Sequence, residues 1–474
     1  MDTIATSGTD KLADALRGDL ITPAHPLYAQ ARQVWNGDID RRPPLIARCA
    51  DEADVATAVT FAAERELPIA VRGGGHSVAG LGLCDDGIVI DLSRMRAVRV
   101  QADRRLAHVQ GGAVWGDVDA ATQVHGLAVT GGIVSETGVG GLTLGGGIGH
   151  LMRRCGFTVD NLVEADLVTA DGRCVTVDRS ADPELLWGLR GGGGNFGTVV
   201  RFGFQLHDVG PTVLAGMIIY PLVEALTVLP HYRDFIADAP DALGTILNLR
   251  LCPPIAAVPE RFHGTPIVAI NVCWSGDIEA GEEYLRPLRG FGHPTLDTVI
   301  PRPYVDFQRI VDATSPAGMH YYWRSVDFGR LTDDVIATIV EHASRITSPL
   351  SAVPVYHLGG AAGRVGAEDT AVGPRTAGHN INMFGAWDPD RDDRDRHVAW
   401  VRDFSEAMAP HQVGQYVNFL SDEGSDGVRA AYGQRWQRLV ELKRRVDPLN
   451  LFRYNFNIDP AGATSASDDR KGSA

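Results

Sequence analysis

Three glycine clusters constrain this chain more than any other feature of it: Arg72-Gly73-Gly74-Gly75-His76-Ser77, then Thr137-Gly138-Val139-Gly140-Gly141-Leu142-Thr143-Leu144-Gly145-Gly146-Gly147, then Gly191-Gly192-Gly193-Gly194-Asn195-Phe196-Gly197. The first two follow strand-like apolar runs. Glycine has no Cβ, so successive amides can turn towards an anion and approach it closely, which suggests a backbone wrapped around a large phosphorylated group. No Gly-Lys-Ser/Thr follows, so neither run is a P-loop. Gly73-Gly74-Gly75 lacks the third glycine of a Rossmann fingerprint.

The chain around these clusters is long enough for two or three domains, at 474 residues. A net charge of −15 argues against nucleic acid and anionic membrane surfaces as partners. Six cysteines without a CxxC pair give neither a structural zinc site nor a disulfide scaffold. No basic-then-apolar leader opens the sequence and no apolar run approaches a membrane span. A cytoplasmic location is the expectation.

Read in order, residues 1–40 form a lead-in that ends before Arg41-Arg42-Pro43-Pro44. Strands and helices alternate over 41–209: a strand at Leu45–Cys49, a helix from Asp51 to Glu66 capped by Asp51, and strands at Pro68–Val71, Gly87–Leu92 and Ala107–Gln110. Asp171-Gly172 reads as a hairpin turn. Over 210–410 the strands lengthen and lie further apart, as in one antiparallel sheet with helices on one side. A segment at 411–460 closes the fold, with a strand at Gln415–Leu420 followed by the stretch Val428 to Arg445, and the Ser/Asp/Gly/Ala-rich tail 461–474 is expected to be disordered. The fold class is α+β.

The ordered set Arg72-Gly-Gly-Gly-His76-Ser, Thr137-Gly-Val-Gly-Gly with its trailing glycines, Asp160-Asn161, Leu189-Arg190 with the third cluster, and Asn455-Phe-Asn-Ile458 resembles the berberine-bridge-enzyme-like branch of the vanillyl-alcohol-oxidase flavoproteins over roughly 40–460. The resemblance implies a PCMH-type FAD-binding domain of two α/β subdomains, an antiparallel substrate domain, and a C-terminal return to the FAD domain. It implies FAD held by Arg72, Gly73, Gly74, Gly75, His76, Ser77, Thr137, Gly138, Val139, Gly141, Leu142, Thr143, Gly147, Asn161, Val199, Asn418, Asn455 and Asn457. It also implies that His76 carries a covalent bond to the flavin 8α-methyl. Val134 stands where several relatives have a second linking cysteine, so a single link is expected, as in hydroxynicotine-oxidase-like members. Cys155 stands where many relatives have tyrosine and is read as a semi-buried thiol.

For the proton taken from the substrate, Tyr416 is the first candidate, in a run resembling the family's Tyr-x-Asn-Tyr, with Asn418 on the same face of a strand. Asp388 is the second, after Trp387 where a relative has a catalytic glutamate. Tyr322, Trp323, His357, Asn380 and Asn382 are candidate substrate contacts. Relatives with valine between the glycines, as at Val139, tend to be oxidases, so the resemblance implies O2 as electron acceptor with hydrogen peroxide as product. The reaction expected is oxidation of a small-molecule alcohol, amine or sugar hydroxyl. The alternatives are a dehydrogenase using another acceptor and a flavin-bearing binding protein without turnover. Oligomeric state and substrate identity stay open.

Overall fold

The computed structural model describes residues 8–254, 258–391 and 393–462; the tail expected to be disordered lies outside them from 463 onward. Its first sheet has four strands in the spatial order Asp19–Ile21, Leu45–Arg48, Ile88–Asp91, Ile69–Arg72, with the last three mutually parallel. Parallel strands need a covered crossover. Helix Glu52–Ala63 supplies it, with the Asp51 carboxylate accepting from the Asp54 amide as its cap. The expected strands at 45–49, 68–71 and 87–92 are present within a residue or so.

The second sheet has five antiparallel strands, Val98–Gln101, Leu106–Gln110, Thr198–Gln205, Leu162–Val168 and Cys174–Asp178 in that spatial order. Val168 pairs with Cys174, so Asp171-Gly172 is the hairpin turn the sequence suggests. The third glycine cluster feeds the central strand of this sheet, whose inner face packs Trp115, Phe202, Phe204 and Trp187.

The third sheet has nine antiparallel strands. Its centre runs Leu243–Leu251, Ala352–His357, His379–Trp387, His320–Phe328, with the short strand Gln412–Gly414 at the edge. Successive residues of a strand point to opposite faces. One face carries Leu247, Leu249, Val353, Val355, Ile381, Met383 and Val326 under a layer that includes helices Asp333–Ala343 and Arg394–Met408. The other face looks at the glycine runs.

The C-terminal segment departs from its expected form at one place: Gln415–Leu420 is not a strand, and after Gly414 the chain tightens into a 3₁₀ turn at Val417–Phe419. Two helices follow, Gly424–Tyr432 and Trp436–Val446, broken at Gly433, whose φ of 54° lies in the left-handed region. Beyond them the chain returns to the first sheet, where Ala70 bridges Tyr454 and the Ile69 amide donates to the Leu451 carbonyl at 2.8 Å. The buried Lys443 fixes this return, donating to Asp447 Oδ2 at 2.7 Å, the Asn195 carbonyl at 2.8 Å and the Phe452 carbonyl at 2.9 Å. Asn195, in the third glycine cluster, donates to the Phe456 carbonyl and accepts from the Ile458 amide. Among the described residues no helix is long and apolar enough to cross a membrane.

Candidate active site

One cavity runs between the glycine runs and the inner face of the large sheet. On the glycine side the first two runs touch backbone to backbone: a Cβ on Gly138 would lie 2.5 Å from the Gly74 nitrogen, and one on Gly74 would lie 2.6 Å from the Gly138 Cα. A Cβ on Gly141 would meet nothing within 4 Å, because that residue opens into the cavity. The amides from Gly74 to Ser77 have no acceptor among the described residues. Arg72 borders them, and its guanidinium donates to the Ala31 carbonyl.

His76 closes this wall. Its ring stacks on Trp35 with centroids 4.1 Å apart, and Trp35 stacks in turn on Tyr321 at 3.7 Å. His76 Nε2 is buried without a partner. Burial pushes the imidazole pKa down to about 4, so the ring is neutral at pH 7.

The strand register gives the rows of side chains on the sheet face turned towards the glycine runs, of which Tyr356, Asn248, Pro354, Asn382, Arg250, Ala352, Phe384 and Trp323 line the cavity. Ile246, Tyr356, Asn380 and Asp327 form one row; Asn248, Pro354, Asn382 and Ser325 the next; Arg250, Ala352, Phe384 and Trp323 the third. Trp323 and Asn382 line the cavity as expected. Tyr322 does not: one residue from Trp323, it points to the helical face, where its hydroxyl meets Asp422, Arg324 and Arg402. His357 is likewise off the cavity and stands beside Arg153 and Thr245. Asn380 shares the cavity-facing parity, but its amide donates to Asp327 Oδ1 at 2.6 Å.

Tyr416 and Asn418 join the two sides. The Tyr416 hydroxyl oxygen accepts from the Gly147 amide at 2.7 Å and from Asn418 Nδ2 at 2.9 Å. The 3₁₀ turn, rather than a strand, brings these side chains together. Asn418 also donates to the Leu142 carbonyl at 3.1 Å and fills the space a Cβ on Gly145 would need. Burial pushes the Tyr416 phenol up to about 12, while its N–H donors pull it down and the charge of Asp327 pushes it further up. Burial also raises the Asp327 carboxyl to about 6. No cation is among the hydrogen-bond partners of Tyr416 in the described residues.

The remaining expected residues divide cleanly. Arg72, Gly73, Gly74, Gly75, Ser77, Thr137, Gly138, Gly141, Leu142, Val199 and Asn455 line the cavity with His76. Val139 is buried in the core behind the wall, and Thr143 is buried with its hydroxyl unpartnered. Gly147 serves through its amide. Asn161 is turned from the cavity because its carboxamide donates to the Cys155 and Phe157 carbonyls at 2.9 Å each. Asn457 is off the wall, with a buried, unpartnered Oδ1. Asp388 lies in the turn after strand His379–Trp387, where its Oδ1 accepts from the Asp390 amide at 3.0 Å. Val134 lines the cavity, whereas Cys155 is packed with Ala128, Leu151 and Cys273.

Sequence reading missed Trp35, Asn248, Arg250 and Phe384. For Asn248 and Arg250 a signal exists: two polar residues at alternate positions in an otherwise apolar strand mark a face that is not core. The expected FAD fits the cavity. Unpartnered amides and Arg72 suit a pyrophosphate, unpartnered His76 and Asn455 atoms point to polar ligand groups, and no carboxylate lines the wall to repel an anion.

Comparison with known proteins gives a consistent picture. A family model for an FAD binding domain matches residues 43–178, and one described as berberine and berberine like matches 415–459. An FAD-linked oxidoreductase of Dictyostelium discoideum is 32% identical over 96% of this chain and 98% of its own. The (R)-6-hydroxynicotine oxidase of Paenarthrobacter nicotinovorans is 29% identical over 96% of this chain and all of its own, 100%. The crystal structure of 6-hydroxy-D-nicotine oxidase from Arthrobacter nicotinovorans superposes with a TM-score of 0.84 at 27% identity, covering 94% of this chain and 98% of that one.

Proposed function

The chain belongs to the berberine-bridge-enzyme-like family of FAD-linked oxidoreductases, and from that premise we propose that it is an oxidase of a small-molecule alcohol, amine or sugar hydroxyl, with FAD bound covalently through His76 and no cysteinyl link. The observation that carries the reading is the neutral, unpartnered His76 at the end of the glycine wall, in the same cavity as Tyr416.

FAD, when bound, supplies the hydride acceptor. The chain does the rest. The amides of Gly74 to Ser77, Arg72 and the Asn455 carboxamide hold the cofactor. A neutral imidazole is a competent nucleophile towards an electrophilic methyl, and stacking on Trp35 fixes its plane. Val134, at the place of a second link, has no nucleophile to offer. Tyr416 acts as the base in its phenolate form, after losing its own proton to solvent; the Gly147 amide and Asn418 donate to its oxygen and stabilise that charge, which is discharged when the substrate proton is taken. Trp323, Phe384, Tyr356 and Phe419 exclude water from the sheet side. O2 is the proposed electron acceptor, with hydrogen peroxide as product; the valine at 139 supports it.

The test is to denature the purified protein in acid and digest it. Yellow colour is expected on the single peptide that contains His76, and His76→Ala is expected to release all colour to the supernatant. Colour on a second, cysteine-containing peptide would refute the single link. Peroxide release in air during turnover is expected; turnover with an artificial acceptor and no peroxide would make the enzyme a dehydrogenase.

A further inference from the structure

Two cations line the cavity, Arg72 and Arg250. Arg72 lies among the glycine amides and belongs with the cofactor's phosphates. Arg250 lies on the other wall, in the third row of the sheet. Only 7% of it is exposed, its Nε is buried without a partner, and its one hydrogen bond is a 3.3 Å contact from Nη2 to the Pro349 carbonyl. It forms no ion pair among the described residues. The one acidic residue on this face of the sheet's four central strands, Asp327, is two rows along and three strands across, about 20 Å away by strand spacing and rise. It is itself occupied by Asn380. Asn248 and Asn382, in the neighbouring row, have carboxamides with no side-chain hydrogen bond among the described residues.

A guanidinium held in a largely apolar cavity without a counter-charge is costly unless something anionic arrives to meet it. Its planar fork matches a carboxylate in two parallel bonds. We infer that the substrate carries a carboxylate, bound by Arg250 with Asn248 and Asn382 beside it. The group it presents for oxidation reaches towards Tyr416, at the end of the cavity marked by the Tyr356 row. Tyr356 and Tyr416 both pack on Phe419, with centroids 6.0 and 4.9 Å from it. The row offset separates the acid from the oxidised carbon by several bonds. Phe384 and Trp323, in the row of Arg250, and Pro354, in the row between, give this wall apolar and flat surfaces, so the body of the substrate beyond its carboxylate is apolar or flat. The inference rests on the reading that this cavity seats the substrate beside FAD.

The experiment uses flavin-loaded protein and three probe pairs: phenylacetate, phenylpropanoate and cinnamate, each beside its primary amide. Binding is followed by calorimetry and by the change in flavin absorption. At least one carboxylate is expected to bind about tenfold or more tighter than its amide. Arg250→Lys should keep part of that preference, and Arg250→Met, which refills the volume with apolar atoms, should abolish it. The inference is overturned if acid and amide bind alike in every pair, if no carboxylate binds at millimolar concentration, or if the preference survives Arg250→Met. The wild-type comparison stands even where a variant does not fold. Turnover plays no part, so failure here leaves the oxidoreductase reading intact, whereas a protein that takes up no flavin ends that reading before any titration.

Discussion

On the glycine side of the cavity the recognising groups are backbone amides; on the sheet side they are side chains at alternate positions of four strands. The glycine wall works by omission. With no Cβ at 74 or 138, two loops meet at contact distance, and the amides of Gly74 to Ser77 are left without an acceptor among the described residues. Such a wall tolerates almost no substitution, so its sequence is a recognisable string. The sheet wall works by addition. Any side chain of suitable size fits a strand position, and chemistry changes there without disturbing the backbone. The cofactor is therefore written in motifs, and the substrate is written in single residues such as Arg250.

The sharpest way to break this contrast is Gly74→Ala. The added methyl would lie 2.6 Å from the Gly138 Cα and 2.7 Å from its nitrogen, with backbone rather than a flexible side chain in its way. Separating the two runs is expected to cost about 3 kcal/mol and to prevent flavin retention. Chemical denaturation and the visible absorption of the purified protein check both. Full flavin content with unchanged stability would mean that the close approach is not what forms the cradle.

The same contrast explains what was legible in the sequence. The glycine wall of the cavity was readable nearly residue by residue, because glycine clusters, a histidine and flanking strands admit few arrangements. Asn161 is the instructive exception. It belongs to the motif, yet it holds the turn carbonyls at 155 and 157 rather than the cavity wall. On the sheet side the candidates Tyr322 and Trp323 are neighbours, as are the candidate His357 and Tyr356, and a strand can offer only one of each pair to the cavity. Composition marks both members; only register selects Trp323 and Tyr356. Trp35 was invisible for a different reason: it comes from the lead-in and reaches His76 only through tertiary packing. The Tyr416–Asn418 pairing was anticipated from strand alternation and arises instead from a 3₁₀ turn, so the contact was right and its cause was not.

A second prediction probes the place where the two walls meet. Burial holds the Asp327 carboxyl up at about 6, against an unfolded value near 3.8. A raised carboxyl binds its proton more tightly in the folded state, so its contribution to stability is present below 3.8 and is lost as pH rises through about 6. Asp327→Asn, which preserves an acceptor for Asn380, should therefore gain stability relative to the wild type between those limits and keep that gain above them. Removing this charge also removes a cause of the raised Tyr416 pKa. With Tyr416 as the base, the rising limb of the pH–rate profile should move to lower pH in the variant. A profile that does not move would detach Tyr416 from the proton transfer while leaving the stability effect in place.

The smallest expected effect separates the two faces of the sheet. Tyr322→Phe deletes a hydroxyl that accepts from Arg324 and Arg402 and donates to Asp422, all on the helical side. These groups are partly solvated, so the loss should be about 1 kcal/mol, read as a lowered denaturant midpoint with no change in kcat/KM or flavin spectrum. Trp323→Leu, one residue away, removes a wall of the cavity that stacks near Phe384 at 4.9 Å. It should raise KM and perturb the flavin spectrum at comparable stability loss or more. If Tyr322→Phe altered KM as Trp323→Leu does, the register that divides cavity from helical layer would be wrong by one residue. Ser325 and Asp327, on the same strand, would then leave that face together with Trp323, because a one-residue slip turns every side chain of a strand to the other face.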